Sequence, residues 1–263
     1  MIRRFLESVR SVLALAVAAC WIVQASGTAA SPASTVWTED VLLQPSGPAE
    51  LAFLYEYQDA LAGAIAADAH LLAVRAAVGF DRAPIDFTPA IGLVQPSGAS
   101  AVIDHAGLRV RYRLAGTPSQ PIAVAILGYR IRPGSDTGHE IEQGAGMRWA
   151  RGDLVVSGDL HVREELGGPS GTRIELAFGG AVTYGGFLDY IRAGVEVFGL
   201  LPITGPRIAD APVGAGSEDL AVYAGPTVRL NVETLWLAVG VATGKLTDDG
   251  SPVLVRAVLA TQL

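Results

Sequence analysis

Residues 107–115 read GLRVRYRLA, and this stretch decides the fold. Arg109, Arg111 and Arg113 alternate with apolar side chains at positions 108, 110, 112 and 114. Successive side chains of a β-strand point to opposite faces, whereas a helix would scatter the same arginines around its axis. The stretch therefore predicts a strand with one apolar face and one cationic face.

The same alternation recurs along the chain from residue 50 onward. It is clear at 152–164 and 171–183, and weaker at 68–80 and 186–199. We expect strands at about 50–60, 68–80, 84–95, 105–115, 120–132, 139–150, 152–164, 171–183, 186–199, 218–230, 232–244 and 252–263. An even number of strands of this length, apolar on one face and polar on the other, is typical of a bacterial transmembrane barrel.

The lengths of the connections support the same architecture. In a barrel with both termini in the periplasm, even-numbered strands are followed by short turns and odd-numbered strands by longer outer loops. The even connections are short, at 81–83, 116–119, 150–151, 184–185 and 231. The odd ones are longer on the whole, at 96–104, 133–138, 165–170, 200–217 and 245–251. A soluble sandwich has no reason to sort its loops in this way.

Residues 49–77 leave an alternative open. Their alanine content and the apolar spacing at positions 51, 54, 61 and 65 also suit an amphipathic helix. A helix there would remove two strands and make a soluble or lipid-anchored periplasmic β-rich protein plausible. The alternation of Leu51, Phe53, Tyr55 and Tyr57 favours strands.

The first thirty residues predict an export signal. Arginines at positions 3, 4 and 10 precede an apolar run at 12–23 and a small-residue stretch at 27–30. A competing interpretation is a lipoprotein signal, in which Cys20 carries the lipid. We therefore divide the chain into a signal peptide at 1–30, a flexible periplasmic leader at 31–48 and a barrel at 49–263.

Composition excludes several classes of protein. The formal net charge is -7, and no Lys/Arg block exists to neutralise phosphates, which argues against a nucleic-acid partner. The single cysteine excludes a disulfide framework. Dinucleotide and P-loop fingerprints are absent from the sequence, as is metal-type histidine spacing, so we expect no cofactor and no metal.

From residue 50 to residue 263 the chain resembles the outer-membrane β-barrel proteins of Gram-negative bacteria. The resemblance rests on the twelve alternating segments and on the end of the chain, where the stretch at 225–237 leads through a short loop to a closing strand. Alternating apolar positions precede the final Leu263, where many such barrels have an aromatic residue. The resemblance implies an outer-membrane location, lipid contacts and the barrel-assembly machinery as a partner during biogenesis.

Arginines and carboxylates concentrate on the predicted inner faces, where guanidinium and carboxylate groups can pair. We count ten arginines and seven carboxylates there, an excess of three positive charges. The predicted lumen-lining residues that could set selectivity are Arg75, Arg109, Arg111, Arg113, Arg148, Asp159, His161, Arg163, Arg173, Glu175, Arg192, Glu196 and Arg229. The remaining members of the count are Arg256, Glu56, Asp86, Glu140 and Glu142.

Three functions follow as hypotheses. The leading one is a passive pore or transporter for small polar solutes, with an anion preference set by the ladder Arg109, Arg111 and Arg113. A plugged barrel with a structural or adhesive role is the second. The third is a lumenal hydrolase, because Ser157, Asp159 and His161 alternate on one strand face; we expect no enzyme, since a polar lumen contact explains these residues more simply.

Overall fold

The computed structural model describes residues 49–58, 69–80, 83–96, 98–116, 121–133, 138–168, 171–188, 190–205, 220–245 and 253–263. The strands are β1 (Glu50–Gln58), β2 (Ala69–Phe80), β3 (Ala83–Pro96), β4 (Val102–Ala115), β5 (Ile122–Arg132), β6 (Gly138–Arg151), β7 (Leu154–Gly168), β8 (Gly171–Leu188), β9 (Ile191–Thr204), β10 (Ala221–Val232), β11 (Leu235–Lys245) and β12 (Val253–Gln262). Within these ranges, no helix has the length and apolar character needed to cross a membrane.

The strands form one closed antiparallel barrel in which every strand pairs with its sequence neighbours. The first and last strands close it, with Glu50 opposite Gln262 and Gln58 opposite Leu254. The predicted twelve-stranded barrel is confirmed. The alternative helix at 49–77 is wrong for the described residues, because 50–58 and 69–80 are both strands.

The two ends of the barrel differ in their connections. At one end, here called the turn end, lie residues 49 and 263 and the connections after even-numbered strands, such as the turn at 152–153 between β6 and β7. The opposite end, the loop end, holds the connections after odd-numbered strands. The turns predicted at 184–185 and 231 are wrong, because these residues lie within β8 and β10. The loop predicted at 165–170 is also wrong, because β7 continues to Gly168 and β8 begins at Gly171. Gly167 and Gly171 both have positive φ, which suits a tight reversal there.

Apolar side chains cover the outside of the barrel wall. Along β4 to β9 the outward positions include Leu114, Leu127, Met147, Leu160 and Val195, each more than half exposed. Exposed aromatic residues lie near the turn end: Phe80, Tyr112, Trp149, Tyr184 and Tyr190. Near the loop end, outward tyrosines pair with histidines: the hydroxyl of Tyr55 is 2.9 Å from Nδ1 of His70, and that of Tyr129 is 2.7 Å from Nδ1 of His139.

The inner surface has two kinds of wall. On β10, β11, β12 and β1 it is mainly small and apolar, with Trp236 packed among Ala52, Ala238, Val258 and Ala260. A second apolar cluster, nearer the loop end, contains Tyr223 and Leu254, with Phe198 stacked on the Tyr223 ring. On β4 to β8 the inner surface is mainly charged. This charged wall holds the candidate site.

Candidate functional site: the charged interior

Glu142 on β6 is the centre of the charged wall. Its side chain is 2% exposed and accepts two hydrogen bonds from Arg109, from Nη2 at 2.7 Å and from Nε at 3.2 Å. Arg130 and Arg163 lie 3.8 and 3.9 Å away, and Nδ1 of His161 lies 3.2 Å away. One buried carboxylate thus interacts with groups from strands β4, β5 and β7.

The ion pairs continue from Glu142 toward the loop end. Glu140 interacts with Arg130 at 3.6 Å and with Arg132 at 3.2 Å. Arg163 also reaches Glu175 on β8 at 3.6 Å, and Arg173 pairs with Glu165. Because consecutive members share arginines or carboxylates, much of the wall forms one network rather than a set of isolated bridges.

Two further ion pairs involve other carboxylates of the interior. Arg111 binds Asp86 through two parallel hydrogen bonds of 2.9 and 2.6 Å, the fork geometry that suits guanidinium and carboxylate groups. On the other side of the barrel, Arg256 of β12 pairs with Glu56 of β1, directly opposite it in register. This second pair joins the two strands that close the barrel.

Glycines on neighbouring strands allow the charged side chains to lie flat on the wall. Gly128 is opposite Glu142 in register, and a Cβ at that position would lie 2.8 Å from Oε2 of Glu142. A Cβ on Gly144 would lie 2.5 Å from Nδ1 of His161, and a Cβ on Gly179 would lie 2.7 Å from Oδ1 of Asp159. Any larger residue would push these groups toward the lumen, because heavy atoms do not approach so closely.

Carboxylates and arginines of the network differ in exposure. The side chains of Asp86, Glu140, Glu142 and Glu175 are 0–2% exposed, while those of their arginine partners are 10–18% exposed. The acids therefore lie against the wall and the guanidinium groups lie above them. Water in the lumen meets mainly arginine.

The structure places the sequence-predicted residues as follows. Arg109, Arg163, Arg173, Glu175, Asp159 and His161 belong to the charged wall, and Arg111 pairs with Asp86. Glu196 is fully buried on β9, and Arg229 lies over the ring of Trp236 at 4.4 Å and donates to Asn231. Within the described residues, Arg75, Arg113, Arg148 and Arg192 form no ion pair. Cys20 lies outside the described residues.

Five charged residues of the interior were missed by the sequence analysis. One is Glu50 at the start of β1, which is buried and accepts a hydrogen bond from Nε1 of Trp236. Arg130 and Arg132 lie on β5, whose inward positions 122, 124 and 126 are aliphatic, so alternation did not distinguish its two faces. Glu165 was assigned to a loop because β7 was predicted to end at residue 164, but it is buried and paired with Arg173. Asp104, between His105 at 2.7 Å and Arg132 at 3.8 Å, lies where β3 and β4 change register.

The interior of the described strands carries twelve arginines and ten carboxylates, so its excess is two positive charges rather than the three counted from the sequence. The arginines are Arg75, Arg109, Arg111, Arg113, Arg130, Arg132, Arg148, Arg163, Arg173, Arg192, Arg229 and Arg256. The carboxylates are Glu50, Glu56, Asp86, Asp104, Glu140, Glu142, Asp159, Glu165, Glu175 and Glu196.

The geometry of Ser157, Asp159 and His161 does not assemble a hydrolytic triad. Nε2 of His161 is 2.9 Å from Asp159, and Nδ1 faces Glu142, so both ring nitrogens are directed at carboxylates. The hydroxyl of Ser157 is buried and makes no hydrogen bond in the described chain. A serine nucleophile needs a base within hydrogen-bond reach. The ring nitrogens of His161 lie near Asp159 and Glu142 instead.

A closed antiparallel barrel that is apolar outside and charged inside is the architecture of outer-membrane β-barrel proteins. Comparison with solved structures finds the same fold in several channels of that class. The NanC porin is similar at a TM-score of 0.57 and 11% identity, covering 81% of this chain and 100% of that chain.

Two other channels show the same likeness. An outer-membrane channel from Pseudomonas putida F1 has a TM-score of 0.63 and 10% identity, covering 89% of this chain and 100% of its own. The KdgM porin in complex with disordered oligogalacturonate has a TM-score of 0.50 and 12% identity, covering 81% and 99%. No protein-family model matches the sequence, and no curated protein matches it either. The likeness to these channels is one of fold.

Proposed function

We propose that this chain is a passive outer-membrane pore for small polar solutes, with a preference for anions. The observation that carries the proposal is the arrangement of the interior, where guanidinium groups cover buried carboxylates and face the lumen. Rings or rows of arginine lining a water-filled passage favour anions.

The outer surface supports a place in the membrane. Exposed aliphatic side chains around the wall are stable in lipid and would cause aggregation in water. The exposed aromatic residues near the turn end would lie at a membrane interface, where aromatic side chains are favoured. In this proposal the turn end faces the periplasm, residues 1–30 direct export, residues 31–48 precede the barrel, and the barrel-assembly machinery inserts it.

A plugged barrel is the second candidate, and one observation favours it. The ion pairs of the charged wall are extensive, and the side chains that form them are less than one fifth exposed. Such a network would also stabilise a barrel whose interior is closed to solutes. Such a barrel would fold in membranes and conduct nothing.

Conductance in planar bilayers distinguishes these candidates. The folding of the purified protein is first verified by heat-modifiable gel migration. Each insertion of a folded barrel into the bilayer should then produce a discrete step in the measured current. In a salt gradient the reversal potential should show anion preference. Folded protein that inserts without conductance would support the plugged barrel, and a cation preference would contradict the anion proposal.

A further inference from the structure

The interior charge is distributed unevenly along the barrel axis. Six of the interior arginines lie within about five residues of the turn end of their strands: Arg75, Arg111, Arg113, Arg148, Arg192 and Arg229. Only four carboxylates lie in the same zone: Glu50, Asp86, Asp159 and Glu196. In the rest of the barrel, six arginines face six carboxylates. The excess of positive charge of the described interior therefore lies at the turn end.

Arg148 of β6 and Arg192 of β9 are the most informative members of this zone. Arg148 is 9% exposed, and its Nε is buried without a hydrogen bond. Arg192 donates from Nη1 to the backbone carbonyl of Asp153 at 3.0 Å, and its Nη2 lies 3.0 Å from where a Cβ of Gly185 on β8 would be. The two arginines lie on either side of β7 and β8, and neither has an ion pair among the described residues, although Asp153 lies beside Arg192.

Hydroxyl groups occupy the two strands between these arginines. Ser157 on β7 lies opposite Arg148 in register, and Thr183 on β8 lies opposite Gly194, two residues along β9 from Arg192. Both side chains are at least nine-tenths buried, and neither Oγ of Ser157 nor Oγ1 of Thr183 has a hydrogen-bond partner. Buried hydroxyls without partners are uncommon, since each costs free energy.

Nearby carboxylates do not supply the missing acceptor. Asp159, two residues from Ser157, is bound to His161 at 2.9 Å. Glu196, two residues beyond Gly194, is fully buried and has an interaction of its own. Asp153, in the turn between β6 and β7, accepts from Arg192 only through its backbone carbonyl. Nε of Arg148 and the hydroxyls of Ser157 and Thr183 have no acceptor among the described residues.

We propose that Arg148, Ser157, Thr183 and Arg192 bind an oxyanion group, a phosphate or a carboxylate, at the turn end of the lumen, and that this site is the pore's anion-selective step. An oxyanion carries several acceptor oxygens, which accept charge-assisted hydrogen bonds from guanidinium groups and further hydrogen bonds from hydroxyls. The partly exposed Arg192 forms the accessible part of the site, and the buried Arg148 and the two hydroxyls form its base. The role as a selective step rests on the proposed function; the binding of an oxyanion does not.

The test measures chloride current through the full-length pore while sodium phosphate or sodium acetate is added on the turn-end side. Phosphate should reduce the current saturably. Arg148→Gln and Arg192→Gln should each raise the half-blocking concentration about tenfold or more, since each removes a charge-assisted hydrogen bond. The double variant Ser157→Ala, Thr183→Val should raise it about threefold to tenfold. Block by acetate as well would indicate that carboxylates share the site with phosphate.

Arg113→Gln is the matched control, because it removes an arginine of the same zone from β4, a strand that contributes no residue to the proposed site. It should lower anion preference without changing the half-blocking concentration of phosphate. An equal effect of Arg113→Gln would overturn the site in favour of a diffuse positive field, and unchanged block in the Arg148 and Arg192 variants would overturn it outright. If the folded protein conducts nothing, titration calorimetry of the same variants with phosphate in detergent tests the site while the pore proposal fails separately.

Discussion

At the residue scale, glycine decides where the interior charges lie. A carboxylate on a long side chain would ordinarily extend into the lumen, where it would offset the arginines. Glu142 lies flat instead because Gly128, opposite it on β5, has no side chain to occupy that space. The interior charge that a solute meets is therefore set partly by residues that carry no charge.

Gly128→Ala should weaken anion preference. The added methyl group would lie 2.8 Å from Oε2 of Glu142, so the carboxylate must move toward the lumen, where its charge opposes that of Arg109. The reversal potential in a salt gradient measures the change. Gly180→Ala is the control, because its nearest neighbour would be 4.0 Å away and it should behave as the unmodified protein. Equal selectivity of both variants would show that the position of the Glu142 carboxylate against the wall does not affect anion preference.

Glu142→Gln should change stability and selectivity in opposite directions. Removing this charge leaves Arg109, Arg130 and Arg163 near one another without their shared counter-charge, which costs about 3–5 kcal/mol for a buried pair. The urea midpoint of unfolding should fall, and the anion preference of the remaining folded pores should rise. Glu164→Gln, on the outward face of β7, should do neither. A variant with lower anion preference would contradict the assigned role of Glu142.

At the scale of the element, alternation determines the two faces of a strand only when one face is polar. On β4 the arginines and apolar residues separate cleanly, and the structure places them inside and outside. On β5 the inward Ile122, Val124 and Ile126 are as apolar as the outward Leu127. Those aliphatic residues fill interior space beside charged strands, where Ile126 lies opposite Arg111 and Ile122 opposite Arg148.

Val110→Arg should hinder assembly of the barrel because Val110 lies on the outward face of β4. A charged side chain facing lipid near the middle of the membrane costs about 2–4 kcal/mol in a barrel. Arg113→Val, on the inward face of the same strand, should assemble normally, since Arg113 has no ion pair to lose within the described residues. The fraction of heat-modifiable folded protein in membranes measures both. Equal assembly of the two variants would contradict the assignment of the inward and outward faces of β4.

At the scale of the whole molecule, the barrel was predictable and the chemistry of its wall was not. Alternation and connection lengths are local properties, so they located the strands and sorted most of the turns from the loops. Which arginine meets which carboxylate depends on register, and register depends on closure of the barrel. Arg109 and Arg111 looked equivalent in sequence, yet Arg109 binds Glu142 and Arg111 forms a two-bond fork with Asp86. The site at Arg148 and Arg192 combines residues from four strands, and nothing local in the sequence joins them.

The orientation of the barrel provides the last prediction. The connection from Thr204 to Ala221 lies at the loop end, and the connection from Ala115 to Ile122 at the turn end. If the turn end faces the periplasm, a protease cleavage site inserted at Gly214 should be cut in intact cells, while one inserted at Gly116 should be cut only after the outer membrane is permeabilised. Cleavage fragments detected with a tag on each side of the insertion measure both. The reverse pattern would show that the barrel is inserted the other way round, with the arginine-rich turn end, including Arg148 and Arg192, outside the cell. Because an oxyanion site at the periplasmic mouth acts on solutes after they have passed the neutral outer half, this orientation also decides whether the site selects at entry or at release.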